Sequence, residues 1–129
     1  QGLYSPVQAS SRIYSSQDIE RWHINEMKSL LSRFSGVKFI FDDVKQKYYP
    51  VLRDAITSFR SKNEGKPLVV IDDTPFIDFD ILDYPVNDIE EIFLLKGSDA
   101  AIWGPKASNG IIVIITQRGK STKIEQKEE

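Results

Sequence analysis

The sequence predicts an α+β domain, one small mixed sheet of about four strands with three or four short helices. Three observations carry that expectation. Ile19, Trp22, Met27, Leu30, Leu31 and Phe34 recur mostly at spacings of three and four, the period of helices that bury one face. Two short β-rich runs, Leu68–Ile71 and Ile111–Thr116, are flanked by the turn signals Asp72-Asp73-Thr74-Pro75 and Asn109-Gly110. The 129 residues are 40% hydrophobic and 28% charged, with seven Gly and six Pro, a make-up that suits one globular domain. At this length a single core buries roughly 65–70% of the surface the unfolded chain exposes, so no staple is required.

In chain order, residues 1–11 are polar and read as a linker or disordered N-terminal segment, the domain runs over 12–119, and 120–129 read as a solvated charged tail or linker. Ser16 is expected to cap a helix over 16–23, with Asp18 and Glu20 favourable to its dipole, and Asn25 a second helix over 25–35 that stops at Gly36. Residues 37–41 alternate as a half-buried strand with Val37, Phe39 and Phe41 on one face. The charged stretch 42–66 reads as loop with one extended or helical insert around 51–59. After the strand Leu68–Ile71, a short helix is expected near 79–82, then a helical turn and a strand within 89–95. Ser98 is expected to cap a helix over 99–103, ended by Gly104 and Pro105. Asn109-Gly110 turns the chain into Ile111–Thr116, whose lack of alternation marks a central strand covered on both faces. Left exposed, that uncharged β-branched run would seed aggregation.

Composition and motifs exclude several kinds of chemistry. No cysteine means no thiol catalysis, no Cys-containing zinc site and no disulfide framework. A formal charge of -2 argues against nucleic acid, which calls for a basic footprint. The longest purely apolar run, Ile111 to Ile115, is far short of the ~20 residues of a spanning helix. His23 is the single histidine, four residues from both Ile19 and Met27, and reads as a partly buried structural group rather than a base. Asp72, Asp73, Asp78, Asp80 and Asp83 alternate with Phe76, Ile77, Phe79, Ile81 and Leu82, the pattern of a solvated face and not of oxygens converging on a cation. Gly97 to Gly104 has six intervening residues where a phosphate loop has four, and Gly119-Lys120-Ser121 has Ile114 where the first glycine belongs. KQKYYPVLR, residues 45–53, mixes bases and aromatics and reads as a solvated loop anchored by its tyrosines. No catalytic, cofactor or metal residue is assigned.

PLVVIDDTPF, residues 67–76, followed by NDIEEIFLLKGSDAAIWGPKASNGIIVIITQRG, residues 87–119, resembles the plug domain of TonB-dependent outer-membrane receptors, in particular the SusC-like branch that imports glycans and other large nutrients. MKSLLSRFSGVKFIF resembles the helix and strand around that family's "L…PGV" segment, with Phe34-Ser35-Gly36-Val37 in its place. The likeness runs from about Ile13 to Gly119, and the positions that carry it, Asp72, Asp73, Gly97, Ser98, Gly104, Asn109 and Gly110, have scaffold roles. It implies a non-enzymatic gate in the outer membrane of a Gram-negative bacterium, closing a barrel of about 22 strands, moved by TonB and monomeric when isolated. Three departures stand beside it. Asp72-Asp73 replaces the family's Asp-Gly, Arg53-Asp54 replaces its Arg-Gly, and the roughly 200 residues that such a barrel's strands need are absent. Residues 1–11 hold no evident TonB-contacting box, and STKIEQKEE does not alternate as a first barrel strand would, which fits a plug-to-barrel linker as well as a C-terminus and leans only slightly toward the latter. The alternative is a plug-like interaction module of a barrel-free periplasmic or cell-surface protein.

Overall fold

A computed structural model describes residues 11–52 and 65–117. Expectations for the first ten residues, for the insert beyond residue 52 and for the tail lie outside the described residues. Two sheets organise the rest. The larger has five strands: β1 (Tyr14–Ser15), β4 (Leu68–Ile71), β5 (Thr74–Phe76), β6 (Ile89–Leu95) and β7 (Ile111–Thr116), in the order β1-β6-β7-β4-β5. The β4–β7 pair is parallel and the others are antiparallel, so the sheet is mixed. The smaller is a hairpin of β2 (Val37–Asp42) and β3 (Lys47–Leu52).

β7 lies in the middle of the larger sheet, and its side chains serve two cores by turns. Ile112 and Ile114 join Val69, Ile92 and Leu94 under α1 (Ser16–Arg21), α2 (Met27–Leu31) and the hairpin's Leu52. Ile111 and Val113 join Leu68, Val70, Phe93 and Leu95 on the other face, covered by Ala100, Trp103 and Ala107. A strand with no polar face therefore has no wet face, which is why its sequence does not alternate.

Helix α1 is capped by Ser15, one residue earlier than expected. The Asp18 amide donates to Ser15 Oγ at 3.3 Å, and Asp18 Oδ2 accepts from the Ser15 amide at 3.0 Å, a reciprocal capping box. The chain breaks at His23, which is exposed with φ 55°, so α1 ends at Arg21 and the partly buried histidine is corrected to a surface one. Asn25 does not cap α2; Glu26 holds that position, and its carboxylate accepts from the Ser29 hydroxyl at 3.3 Å without capping a backbone amide. The face that spacing marked is nevertheless the buried one, with Met27, Leu30 and Leu31 all inaccessible.

Other differences concern short elements. Lys47–Leu52 is a strand, not a loop, and tolerates Pro50 because β3 sits at the edge of a two-stranded sheet. Pro75 is likewise on the edge strand β5. In β2, Val37 and Phe39 are half-buried while Phe41 is exposed. The helices expected near 79–82 and 99–103 are single 3₁₀ turns, Ile81–Asp83, Gly97–Asp99 and Ala101–Trp103, with a further one at Pro105–Ala107. A 3₁₀ turn at Val86–Asp88 precedes β6, which occupies all of Ile89–Leu95. Among the described residues no helix is long and apolar enough to cross a membrane.

Candidate functional site

The hairpin shares no strand pairing with the larger sheet, and the two meet along a seam of alternating charge. Asp42 ends β2, Lys45 lies in the hairpin turn, Lys47 opens β3 and Lys66 precedes β4; Asp78, Asp80 and Asp83 follow β5. Lys66 Nζ lies 3.1 Å from Asp42 Oδ2 and 2.9 Å from Asp78 Oδ1. Lys45 Nζ is 3.2 Å from both Asp78 and Asp80, and Lys47 Nζ is 3.5 Å from Asp80 and 2.6 Å from Asp83. The result is a ladder, Asp42-Lys66-Asp78-Lys45-Asp80-Lys47-Asp83. Of the five acids read as a solvated face, Asp78, Asp80 and Asp83 thus meet lysines across a tertiary contact, whereas Asp72 and Asp73 lie outside the ladder.

Local structure sets each rung. Asp42 Oδ1 accepts from the amides of Val44 and Lys45 at 2.9 and 3.3 Å, which folds the hairpin turn and brings Lys45 round. The Tyr49 ring lies under the Lys66 ammonium at 4.9 Å, and Asn109 Nδ2 donates to the Lys66 carbonyl at 3.3 Å, joining the seam to the turn before β7. On the hairpin's far side Lys28 of α2 stands 4.7 Å from the Tyr48 ring. Its tip projects beyond these contacts, with Val44 92% exposed and Phe41 and Tyr48 stacked edge to face on the surface.

Hydrogen bonds from Lys66 hold the Asp42 and Asp78 carboxyls below the ordinary range, against a smaller opposing effect of burial. Bonds to Asp78 and then Asp80 raise Lys45, and the bond to Asp83 raises Lys47. For Lys66 burial pulls downward, but the bonds to Asp78 and Asp42 together outweigh it and the ammonium is raised. The lowered carboxyls stabilise the fold above about pH 4 and lose that contribution as pH falls through their folded values; the raised lysines contribute below about pH 10 and lose it on the alkaline side. Lys66→Met should therefore lower the unfolding free energy at pH 7 by about 1 kcal/mol, near the top of the range for surface ion pairs. The gap between variant and parent should narrow at pH 3. Urea titrations at the two values check this, and an equal gap at both would contradict the ladder.

The residues singled out by resemblance do not converge. Asp72 and Asp73 form the β4–β5 turn, both with positive φ (49° and 72°), so the pair takes the backbone of an Asp-Gly turn without its glycine. Gly97 (φ 56°) opens the turns that cover the second core, and Gly104 (φ 83°, ψ -169°) joins two of them. Ser98 caps nothing: it lies inside Gly97–Asp99, where Lys96 holds the capping position and its side chain does not cap. Of Asn109-Gly110 only Gly110 has positive φ, while Asn109 is buried and bonded to Lys66. Among the described residues no group of three or more His, Asp or Glu is placed to hold a metal ion. Sequence reading does not find the ladder, because Lys45 lies in the hairpin turn and Asp78, at φ 58°, in the turn after β5, and no strand pairing joins the two segments.

Comparison with known proteins agrees with this architecture. The family model described as TonB-dependent Receptor Plug Domain matches residues 5–111, and the chain belongs to that family. Among solved structures, it is similar to the siderophore receptor PirA from Acinetobacter baumannii, with TM-score 0.65, 20% identity, and 87% of this chain but 18% of that one covered. It is also similar to a mutant ferric enterobactin receptor, PfeA, from Pseudomonas aeruginosa, with TM-score 0.64, 19% identity and coverage of 84% and 18%. The RagAB peptide importer in its open-open state gives TM-score 0.61, 22% identity and coverage of 91% and 13%. The chain thus spans less than a fifth of the length of these receptors. In receptors of this family the plug pairs with an outer-membrane β-barrel, and the family is one of transporter domains rather than enzymes.

Proposed function

We propose that this chain is the gate of an outer-membrane nutrient importer of the SusC-like branch, held in its own receptor's barrel and moved by TonB, with no enzymatic activity of its own and monomeric when isolated. The observation that carries the reading is the family match over residues 5–111, together with a mixed sheet whose central strand is covered on both faces. The SusC-like assignment rests on the motifs of residues 67–76 and 87–119.

A gate has to rearrange without unfolding, and densely packed cores do not deform continuously. Sliding along the seam exchanges exposed ion pairs worth about 0.2–1 kcal/mol each, whereas pulling the hairpin off the sheet would also uncover Leu52, at about 2–5 kcal/mol. On this reading, movement shifts the hairpin along the sheet with Leu52 still covered and leaves the five strands intact. The test is planar-bilayer conductance of the full receptor with and without residues 12–117. Removing the domain should turn a closed protein into one with a steady open-pore current. A barrel that stays closed would contradict the gate.

A further inference from the structure

The turn between β4 and β5 holds two non-glycine residues in the left-handed region, where L side chains cost about 1–2 kcal/mol each. Asp73 shows no compensation, since its Oδ1 is buried without a hydrogen-bond partner. Asp72 differs. Its amide donates to the Ile114 carbonyl at 3.0 Å, its Oδ1 accepts from the Thr116 amide at 3.0 Å, and its Oδ2 accepts from the Thr116 hydroxyl at 2.5 Å.

These three bonds follow the logic of a parallel ladder. In such a pair a residue donates to one residue of the neighbouring strand and accepts, through its carbonyl, from the residue two further on. Asp72 donates to Ile114, and a regular strand would take the Thr116 amide on the Asp72 carbonyl. That bond goes to the carboxylate instead. The side chain thus stands in for a carbonyl at the point where the backbone turns into β5, and its second oxygen binds the hydroxyl of the same threonine. Thr116 is buried and ends β7 while Asp72 is exposed, so both bonds lie partly buried at the margin of the core.

We propose that Asp72 is a clamp that carries the β4–β7 pairing one step past the hairpin turn and closes the C-terminal end of β7. Fraying or load entering the sheet from residue 117 onward meets this clamp on the β4 side together with the Ile89–Thr116 pairing on the β6 side. Asp72 is a positioning residue: it fixes where β7 leaves the sheet. The inference does not depend on the gate reading, because it concerns the 129-residue chain alone.

Glycine substitutions separate the clamp from the turn. Asp72→Gly keeps a backbone that favours positive φ and removes only the carboxylate, whereas Asp73→Gly relieves strain and keeps the clamp. Amide exchange followed by NMR should show Thr116 exchanging at least about tenfold faster in Asp72→Gly, measured against Ile112 and Val113 in the same chain. In Asp73→Gly the Thr116 rate should stay within about twofold of the parent. Asp72→Asn, which restores an acceptor and tolerates positive φ, should recover most of the protection. Unchanged Thr116 exchange in Asp72→Gly, equal acceleration in Asp73→Gly, or no recovery in Asp72→Asn overturns the proposal.

Discussion

An Ile112→Ala chain should unfold about 3–4 kcal/mol more easily than the parent, with a midpoint lower by roughly 10–20 °C. Ile112 is wholly inaccessible, lies opposite Leu94 on one side and Val69 on the other, and faces the core beneath α1 and α2. The lost methyl groups leave a cavity between strands pinned by pairing on both edges, so the site has little room to collapse. Out of a total stability of about 5–15 kcal/mol, such a loss is large. Ile40→Ala, on the hairpin surface at 41% exposure, is the matched control and should change stability by no more than about 0.5 kcal/mol. Chemical denaturation of the two variants reads the difference. A cost below about 1 kcal/mol at Ile112 would mean that β7 is not a packed central strand.

Gly104→Ala should cost about 2–3 kcal/mol with no steric clash at all. Gly104 combines φ 83° with ψ -169°, a region essentially closed to residues with a Cβ. A Cβ built there meets nothing within 4 Å, so the whole cost is backbone strain. Gly97, at φ 56° and with equally open surroundings, is strained by the same substitution, again without a clash. At Gly104 the strain also reaches the core. Gly104 links Ala101–Trp103 to Pro105–Ala107, whose Trp103 and Ala107 cover Val113 and Phe93, so strain there loosens the second core. A cost below about 1 kcal/mol at Gly104 in equilibrium unfolding would contradict this backbone assignment.

What the sequence disclosed, and what it hid, divides along local and non-local lines. β4, β6, β7 and the buried faces of both helices were legible because each follows from period or burial within its own few residues. Ile111–Thr116 could be read as central because no residue in it tolerates water. β1 and β5 are two and three residues long and exist only through their partners, Ile92 with Glu91 for the first and residues 69–71 for the second. β3 was hidden by Pro50 and by the lysines at its entrance, although Tyr48, Pro50 and Leu52 sit opposite Phe41, Phe39 and Val37 in register. Ser98 is a sound capping residue by type, but the segment after it forms separate 3₁₀ turns and offers no helix to cap. The ladder joins residues more than 30 positions apart, Lys45 with Asp78 and Lys47 with Asp83, and only the folded chain brings them together.

The plug architecture itself turns on one arrangement, β7 between β4 and β6. Methyl-resolved NOE spectroscopy on the 129-residue chain tests it directly. Ile112 methyls should show contacts to both Val69 and Leu94, and Val113 methyls to both Val70 and Phe93, with the two sets not mixing across the sheet. Contacts to one neighbouring strand only, or none between β7 and β4, would place this strand at an edge and remove the basis for the fold and for the gate.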